Sequence, residues 1–154
     1  MSTVERKNEI TVRPVEGGDA EAIGELIVQL GYPRRPLEDI QRWIEELPGY
    51  AERQAVFVAC EEDQVVGWVE VSLERRLQTA PFALVGGLVV RDGLRGKGIG
   101  RLLCEAAEQW TREHGAGVVR VTSRSTREAA HRFYLRDGYS QVKTSLVFEK
   151  RLQG

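Results

Sequence analysis

A glycine-rich segment at residues 91–100 (RDGLRGKGIG) leads from an apolar strand pattern into an amphipathic helix pattern. The first turn of a helix presents unpaired N–H groups and the positive end of the helix dipole, and glycines let an anion approach the backbone with no Cβ in the way. Arg95 and Lys97 add positive charge to the same segment. These residue types in this order predict a phosphate site, and the competing interpretation is a tight turn that binds nothing.

The spacing of these glycines argues against two common phosphate sites. A P-loop places Ser or Thr directly after its lysine, whereas Gly98 follows Lys97, so no hydroxyl is in place for magnesium. The dinucleotide fingerprint needs a third glycine where Arg101 stands, and it belongs to an early strand, whereas this segment follows the fourth predicted strand. The sequence therefore disfavours an ATPase and a Rossmann-type dinucleotide site.

Hydrophobic periods around the segment predict a mixed α/β domain. The glycine pair Gly86-Gly87 inside an otherwise apolar strand predicts a bulge or a close backbone approach. Asp19 is predicted to cap the helix that begins at residue 20, and the spacing of residues 125–128 predicts a capping box that opens the last helix. In chain order, we predict strands at 10–15, 55–60, 65–73, 83–90, 118–122, 139–142 and 145–148, and helices at 20–30, after Pro36, from Ile99 and from 125–128 to 137–138.

Length and composition predict one domain over residues 1–154, with residues 1–9 as a loosely ordered N-terminus. No apolar run approaches the roughly 20 residues that span a bilayer, and the polar start is unlike a signal peptide, so we expect a cytoplasmic protein with no membrane partner. Cys60 and Cys104 lack a CxxC partner, and His114 and His131 lie far apart. We therefore predict two buried thiols and no metal site.

Charge is divided unevenly along the chain. Residues 1–90 hold 16 acidic and 9 basic residues, whereas residues 91–154 hold 7 acidic and 13 basic residues. Because a cleft focuses the field of the charges around it, this division suits an anionic ligand on the second half and a cationic one near the first. Solvated surface without a role is the other interpretation. Nucleic-acid binding is the least favoured of the functions considered, because the arginines of the second half lack interleaved aromatic residues and the whole chain is not basic.

Residues 95–100 (RGKGIG) resemble the acetyl-CoA loop, Arg/Gln-x-x-Gly-x-Gly/Ala, of the GNAT family of N-acetyltransferases. Residues 130–139 (AHRFYLRDGY) are similar to the family's helix that carries a Phe-Tyr pair before Gly-Tyr. The resemblance covers nearly the whole chain and is greatest to the small-molecule, aminoglycoside-type branch. It implies an α/β fold with a twisted, mostly antiparallel sheet of six to seven strands flanked by about four helices.

The resemblance also implies an activity, the direct transfer of an acetyl group from acetyl-CoA to a primary amine. By the family pattern, the pantetheine arm pairs with the strand edge at Leu88, Val89 and Val90, and an N–H near Val90 receives the charge that develops on the thioester oxygen. The pyrophosphate is then held by the loop residues Arg95, Gly96, Lys97, Gly98, Ile99 and Gly100, with Arg101 just beyond.

Two side chains are implied in proton transfer. Tyr134 occupies the family's general-acid position, and its alternative role is that of a core aromatic residue. Glu70 is the nearest candidate for the general base because the start of the fourth strand lacks a carboxylate, although an exposed strand glutamate and a water relay remain open alternatives.

The expected acceptor is a small-molecule amine, either aminoglycoside-like or polyamine-like, selected by the early helices and by a loop at residues 74–80. Acidic side chains between residues 38 and 46 could attract a cation, and Tyr32 and Trp43 could wall a pocket, although core packing is the favoured role for Trp43. A protein or peptide N-acetyltransferase and a non-catalytic acetyl-CoA sensor are the alternative functions. Relatives often form dimers, so a homodimer is the expected assembly.

Overall fold

A computed structural model describes residues 9–154, which form two compact units that divide between Thr122 and Ser123. The loose N-terminus expected at residues 1–9 lies almost entirely outside the described residues. The first unit contains the sheet and three helices, and the second unit contains one helix.

The sheet of the first unit has five strands in the order β1-β2-β3-β4-β5. The pairs from β1 to β4 are antiparallel, whereas β4 and β5 are parallel. Its strands are β1 Ile10–Pro14, β2 Gln54–Glu61, β3 Gln64–Arg76, β4 Thr79–Val90 and β5 Val119–Val121.

Three helices cover the sheet, and each buries the apolar stripe that its sequence period predicts. Helices α1 (Ala20–Leu30) and α2 (Leu37–Glu46) form one core with side chains such as Val58 and Trp68. Helix α3 (Ile99–Glu113) forms a second core that includes Val69 and Val85. Because neighbouring residues of a strand point to opposite faces, the sheet separates these two cores.

The glycine pair of β4 forms both of the predicted features. Glu70 of β3 pairs with Gly87 and the next residue pairs with Val85, so Gly86 is an extra residue in a bulge. A Cβ on Gly87 would lie only 2.6 Å from Cζ3 of Trp68, and that indole fits because the position carries no side chain.

The predicted strand count is wrong, because residues 9–154 contain five strands rather than six to seven. Residues 139–142 and 145–148 form no strand, and Leu146, Val147 and Phe148 are exposed. Apolar residues with β propensity form a strand only when a hydrogen-bonded neighbour is present, and the second unit contains no strand that could pair with them. The expected count of about four helices is confirmed within the same residues, with α4 at Glu128–Arg136.

Three local predictions also need correction. Residues 74–80 are not the predicted loop, because β3 continues to Arg76 and β4 begins at Thr79. The predicted capping box at residues 125–128 does not form, because Arg127 occupies the N-cap position of α4 and its side chain makes no capping hydrogen bond. Asp19 does not cap α1 with its side chain, because its carboxylate accepts two hydrogen bonds of 2.8 Å from Arg13.

The remaining global expectations concern cysteines, metals and membranes. Cys60 and Cys104 are buried and lie outside any disulfide, as predicted. Across residues 9–154, no group of three or more metal-binding side chains is assembled. None of the helices in this part of the chain combines the length and the apolar character that a membrane crossing requires.

Candidate active site

The glycine-rich loop between β4 and α3 depends on left-handed backbone conformations. Gly93, Gly96 and Gly98 have φ angles of 86°, 84° and 82°, which side-chain-bearing residues rarely adopt. A Cβ at any of the three would meet no atom within 4 Å. The glycines are therefore required for the path of the chain, and the space beside them is open to a ligand.

The start of α3 lies at the end of this loop and is firmly anchored. Ile99 is 1% exposed and packs in the core beneath α3. Gly98 occupies the N-cap position, so no side chain there accepts a hydrogen bond from the first turn. Because a helix N-terminus carries unpaired N–H groups and positive potential, these groups suit the oxygen atoms of an anion.

The basic side chains of the loop and of the first turn of α3 are exposed, and the two arginines form surface ion pairs. Arg95 lies 3.2 Å from Asp92, and Arg101 lies 3.3 Å from Glu105. Exposed ion pairs of this kind contribute roughly 0–1 kcal/mol, so a polyanion would compete readily with Asp92 for the guanidinium group of Arg95. Lys97 is exposed between them in the sequence.

Within residues 9–154, the second half of β4 has a free edge with no paired strand, because the pairing between β4 and β5 ends at Val85. The N–H of Arg91 donates to Val66 of β3, and backbone groups alternate in direction along a strand. The N–H and C=O groups of Leu88 and Val90 therefore point away from β3, whereas those of Val89 point toward it. Leu88 and Val90 thus present the strand edge that an extended ligand could extend.

Gln29 of α1 holds the junction between this edge and the loop, and the sequence patterns did not identify it. Its side-chain NH₂ donates to the C=O of Val90 at 2.7 Å, and its side-chain oxygen accepts from the N–H of Asp92 at 2.9 Å. The carboxamide thus replaces the peptide group that a parallel neighbouring strand would provide. Gln29 and Val90 are 61 residues apart, so no local signal marks the contact.

Glu70 of β3 lies beside the glycine bulge of β4. A Cβ on Gly86 would lie 3.3 Å from the Glu70 Oε1 atom, so the carboxyl group lies against the bulge. The side chain is half-buried, not exposed, and desolvation by burial raises the pKa of its carboxyl group. A raised pKa makes this carboxylate a stronger base than an exposed glutamate, so it is better suited to accept a proton.

Tyr134 belongs to the unit that begins at Ser123 and is described within it. It lies on α4, is half-buried, and contacts Phe133 and Tyr139 edge-to-face at ring-centroid distances of 5.4 Å and 5.8 Å. Its ring is therefore held by two aromatic neighbours of its own unit.

A cleft at the end of α2 lies close to the part of β3 that carries Glu70. Trp43 packs partly against the core of α1 and α2 and also lines this cleft with Glu46, Tyr50 and other residues. Gln54, another lining residue, pairs with Ser72, two residues from Glu70 on β3. Tyr32 is 53% exposed and is not among the residues that line it.

Comparison with known proteins gives one family match and several similar proteins. A sequence model of the acetyltransferase (GNAT) family matches residues 21–139. Aminoglycoside N(6')-acetyltransferase type 1 of Stenotrophomonas maltophilia is 29% identical over 93% of this chain and 94% of its own length. Aminoalkylphosphonate N-acetyltransferase of Salmonella typhimurium is 35% identical over 54% of this chain and 55% of its own length.

A solved structure shows the same fold. The aminoglycoside N-acetyltransferase AAC(6')-Iy, crystallised in complex with CoA, matches with a TM-score of 0.83 at 19% identity. The match covers 97% of this chain and 99% of that chain.

Proposed function

Because the chain belongs to the GNAT family of acetyltransferases, we propose that it transfers the acetyl group of acetyl-CoA to a primary amine of a small molecule. One observation carries the proposal: the free edge of β4 continues directly into a left-handed glycine loop that ends at the start of α3. An elongated ligand with a diphosphate at one end fits an open strand edge followed by an anion site.

The chain's backbone binds this ligand. Amide groups between Arg95 and Gly100 hold the diphosphate, and Arg101 and Lys97 add positive charge. The outward N–H and C=O groups of Leu88 pair with the amides of the pantetheine arm, because the C=O of Val90 is already bonded to Gln29. When bound, acetyl-CoA supplies the activated thioester carbonyl. The bond from Gln29 to the C=O of Val90 fixes this peptide segment. The N–H of Val90, which also points away from β3, stabilises the negative charge that grows on the thioester oxygen.

Two side chains move protons in this proposal. Glu70 accepts a proton from the acceptor's ammonium group, directly or through water, and its desolvated carboxyl group has the raised pKa that this step favours. Tyr134 donates a proton to the departing thiolate of CoA. The Phe133–Tyr134 pair of the family motif is the support for that role.

The names of two relatives suggest two kinds of acceptor. Aminoglycosides, like polyamines, are polycations, and the acidic side chains of α2 would attract them. Aminoalkylphosphonates carry an acidic group as well as the amine. Both kinds are small molecules with a primary amine, so the reaction is the same for either.

A thiol-release assay tests the function. The chain is mixed with acetyl-CoA and a panel of aminoglycosides, polyamines, amino acids, aminophosphonates and peptides, and free CoA is measured with a thiol reagent. We expect acceptor-dependent release with at least one small amine. Release only with peptides would identify a peptide N-acetyltransferase. Tight binding of acetyl-CoA without release with any acceptor would identify a sensor and overturn the proposal.

A further inference from the structure

Arg120 of β5 is half-buried and has no acidic partner among the described residues. Its Cζ atom lies 4.3 Å from the centroid of the Phe82 ring, and Phe82 is 3% exposed. Arg76 lies over the same ring at 5.1 Å, but Arg76 is also 3.7 Å from Glu74. Within residues 9–154, Arg120 makes no ion pair. Its charge is thus held in place by stacking and is left uncompensated.

This guanidinium lies on the same face of the sheet as Glu70. Arg120 pairs with Leu84 of β4, and Leu84 pairs with Ser72 of β3, two residues from Glu70. Paired residues of neighbouring strands share a face, so all four side chains project from one face. From the spacing of strands and residues, the Cα atoms of Glu70 and Arg120 are about 12 Å apart.

The helices of the first unit leave this part of the face uncovered. The core beneath α1 and α2 includes Trp68 and Val89, at the far end of β3 and β4. Ser72 and Leu84, in the row that links Glu70 with Arg120, belong to neither core and are half-buried. A partly desolvated cation without a counterion is unfavourable, and an anionic ligand would relieve that cost.

We propose that the acceptor is an amine that also carries an acidic group, such as a phosphate, phosphonate or carboxylate, and that Arg120 binds this group. The inference rests on the proposed acetyl transfer and deepens it. The acceptor's amine faces Glu70 and the free edge of β4, while its anion lies toward Arg120 and Phe82. Arg76, the other arginine over the Phe82 ring, is already paired with Glu74 and is therefore less available to bind the anion.

Matched acceptor pairs test the inference, because the members of each pair differ mainly in the acidic group. The pairs are 2-aminoethylphosphonate with 2-aminoethanol, glucosamine 6-phosphate with glucosamine, and 4-aminobutyrate with 4-aminobutanol. Spermidine and a 2-deoxystreptamine aminoglycoside represent polycations. We expect kcat/KM to be higher for the acidic member of at least one pair, and the pair that responds identifies the chemistry of the anion.

Variants then assign the preference to Arg120. Arg120→Gln should lower kcat/KM for the acidic member about 10- to 100-fold, the range expected for loss of a charge-assisted hydrogen bond, and should leave its partner within about twofold. Phe82→Leu should cause part of the same loss, because it removes the surface on which the guanidinium is held. Arg112→Gln is the matched control, since Arg112 is an exposed arginine in the last turn of α3, the helix that covers the opposite face of the sheet.

The possible outcomes separate the two proposals. If no amine supports thiol release, the proposed function fails. If polycations are acetylated and acidic amines are not, or if Arg120→Gln lowers kcat/KM equally for both members of a pair, the function stands and this inference is overturned. If Arg120→Gln does not fold, Phe82→Leu and Arg120→Lys decide the question by the same ratio, with the lysine variant expected to retain part of the preference.

Discussion

Replacing Gln29 with leucine tests whether the junction between β4 and the glycine loop is prepared for acetyl-CoA. The change keeps a side chain of similar size and removes both hydrogen bonds, to the Val90 C=O at 2.7 Å and from the Asp92 N–H at 2.9 Å. Each such bond contributes about 1 kcal/mol net, so the pair contributes about 2 kcal/mol. If the whole amount is needed to order the junction on binding, affinity falls about 30-fold, since 1.4 kcal/mol is a factor of ten.

Part of that free energy also contributes to folding, so we expect affinity to fall about 5- to 30-fold. Isothermal titration of CoA measures the dissociation constant, and thermal unfolding measures the share lost from stability. Gln41→Leu is the matched control, because Gln41 is an exposed glutamine on α2. A folded Gln29→Leu variant that binds CoA within twofold of the natural chain would refute the reasoning.

Gln29→Glu adds a test that a simple packing defect would not pass. At neutral pH its carboxylate still accepts from the Asp92 N–H but repels the Val90 C=O, whereas the protonated form can donate to that oxygen. The affinity defect should therefore shrink as pH falls, relative to the natural chain at each pH. A defect that does not change with pH would show that donation to Val90 is unimportant.

The other predictions concern Gly98, Tyr134 and Glu70. Gly98→Val should weaken acetyl-CoA binding by at least about tenfold beyond its stability cost. Gly115→Val imposes the same left-handed strain (φ 80°) at the other end of α3 and should cost stability alone. Equal acetyl-CoA affinities of the two variants in calorimetry would contradict a phosphate role for Gly98. Tyr134→Phe should lower kcat about 100-fold with little change in CoA affinity, and Tyr139→Phe is its control; an unchanged kcat at every pH would exclude Tyr134 as the acid. Activity should rise with pH as the Glu70 carboxyl group, whose pKa burial raises, loses its proton, and Glu70→Gln should abolish that rise. The pKa of Glu70 is higher in the folded state than in the unfolded state, so the free energy of unfolding falls as pH rises through the folded-state pKa. Compared with the natural chain at the same pH, Glu70→Gln should therefore be more stable at neutral than at acidic pH. A chemical denaturation series that shows no such trend would contradict the burial of Glu70.

Local patterns were sufficient for the parts of the site that local chemistry determines. The period from Ile99 and the glycines before it identify α3 and its loop, because helical spacing and left-handed turns depend on residues close together in the chain. The roles of Gln29 and of the Arg120–Phe82 stack were not predicted. Each depends on a contact between elements far apart in the sequence, and no single-segment pattern encodes it.

The last strands were mispredicted for a related reason. The segments at 139–142 and 145–148 have apolar residues suited to a strand, but propensity describes how a residue fits a sheet that already exists. The sequence contains no local signal that specifies a pairing partner. The same limit applies to Glu70, whose alternating strand position suggested exposure although the bulge of β4 lies against it.

The bulge at Gly86 links two features of the site, the free edge of β4 and the position of Glu70. Before the bulge, the N–H of Ala83 donates to the C=O of Val118, so the backbone N–H and C=O groups of odd-numbered residues of β4 point toward β5. After the bulge, the backbone groups of Leu88 and Val90 point to that same edge of β4, because one extra residue reverses the alternation of backbone directions along the strand. Gly86 also leaves room for the Glu70 carboxyl group. A single inserted glycine therefore determines which amides lie on the free edge of β4 and provides space for the proposed base beside them.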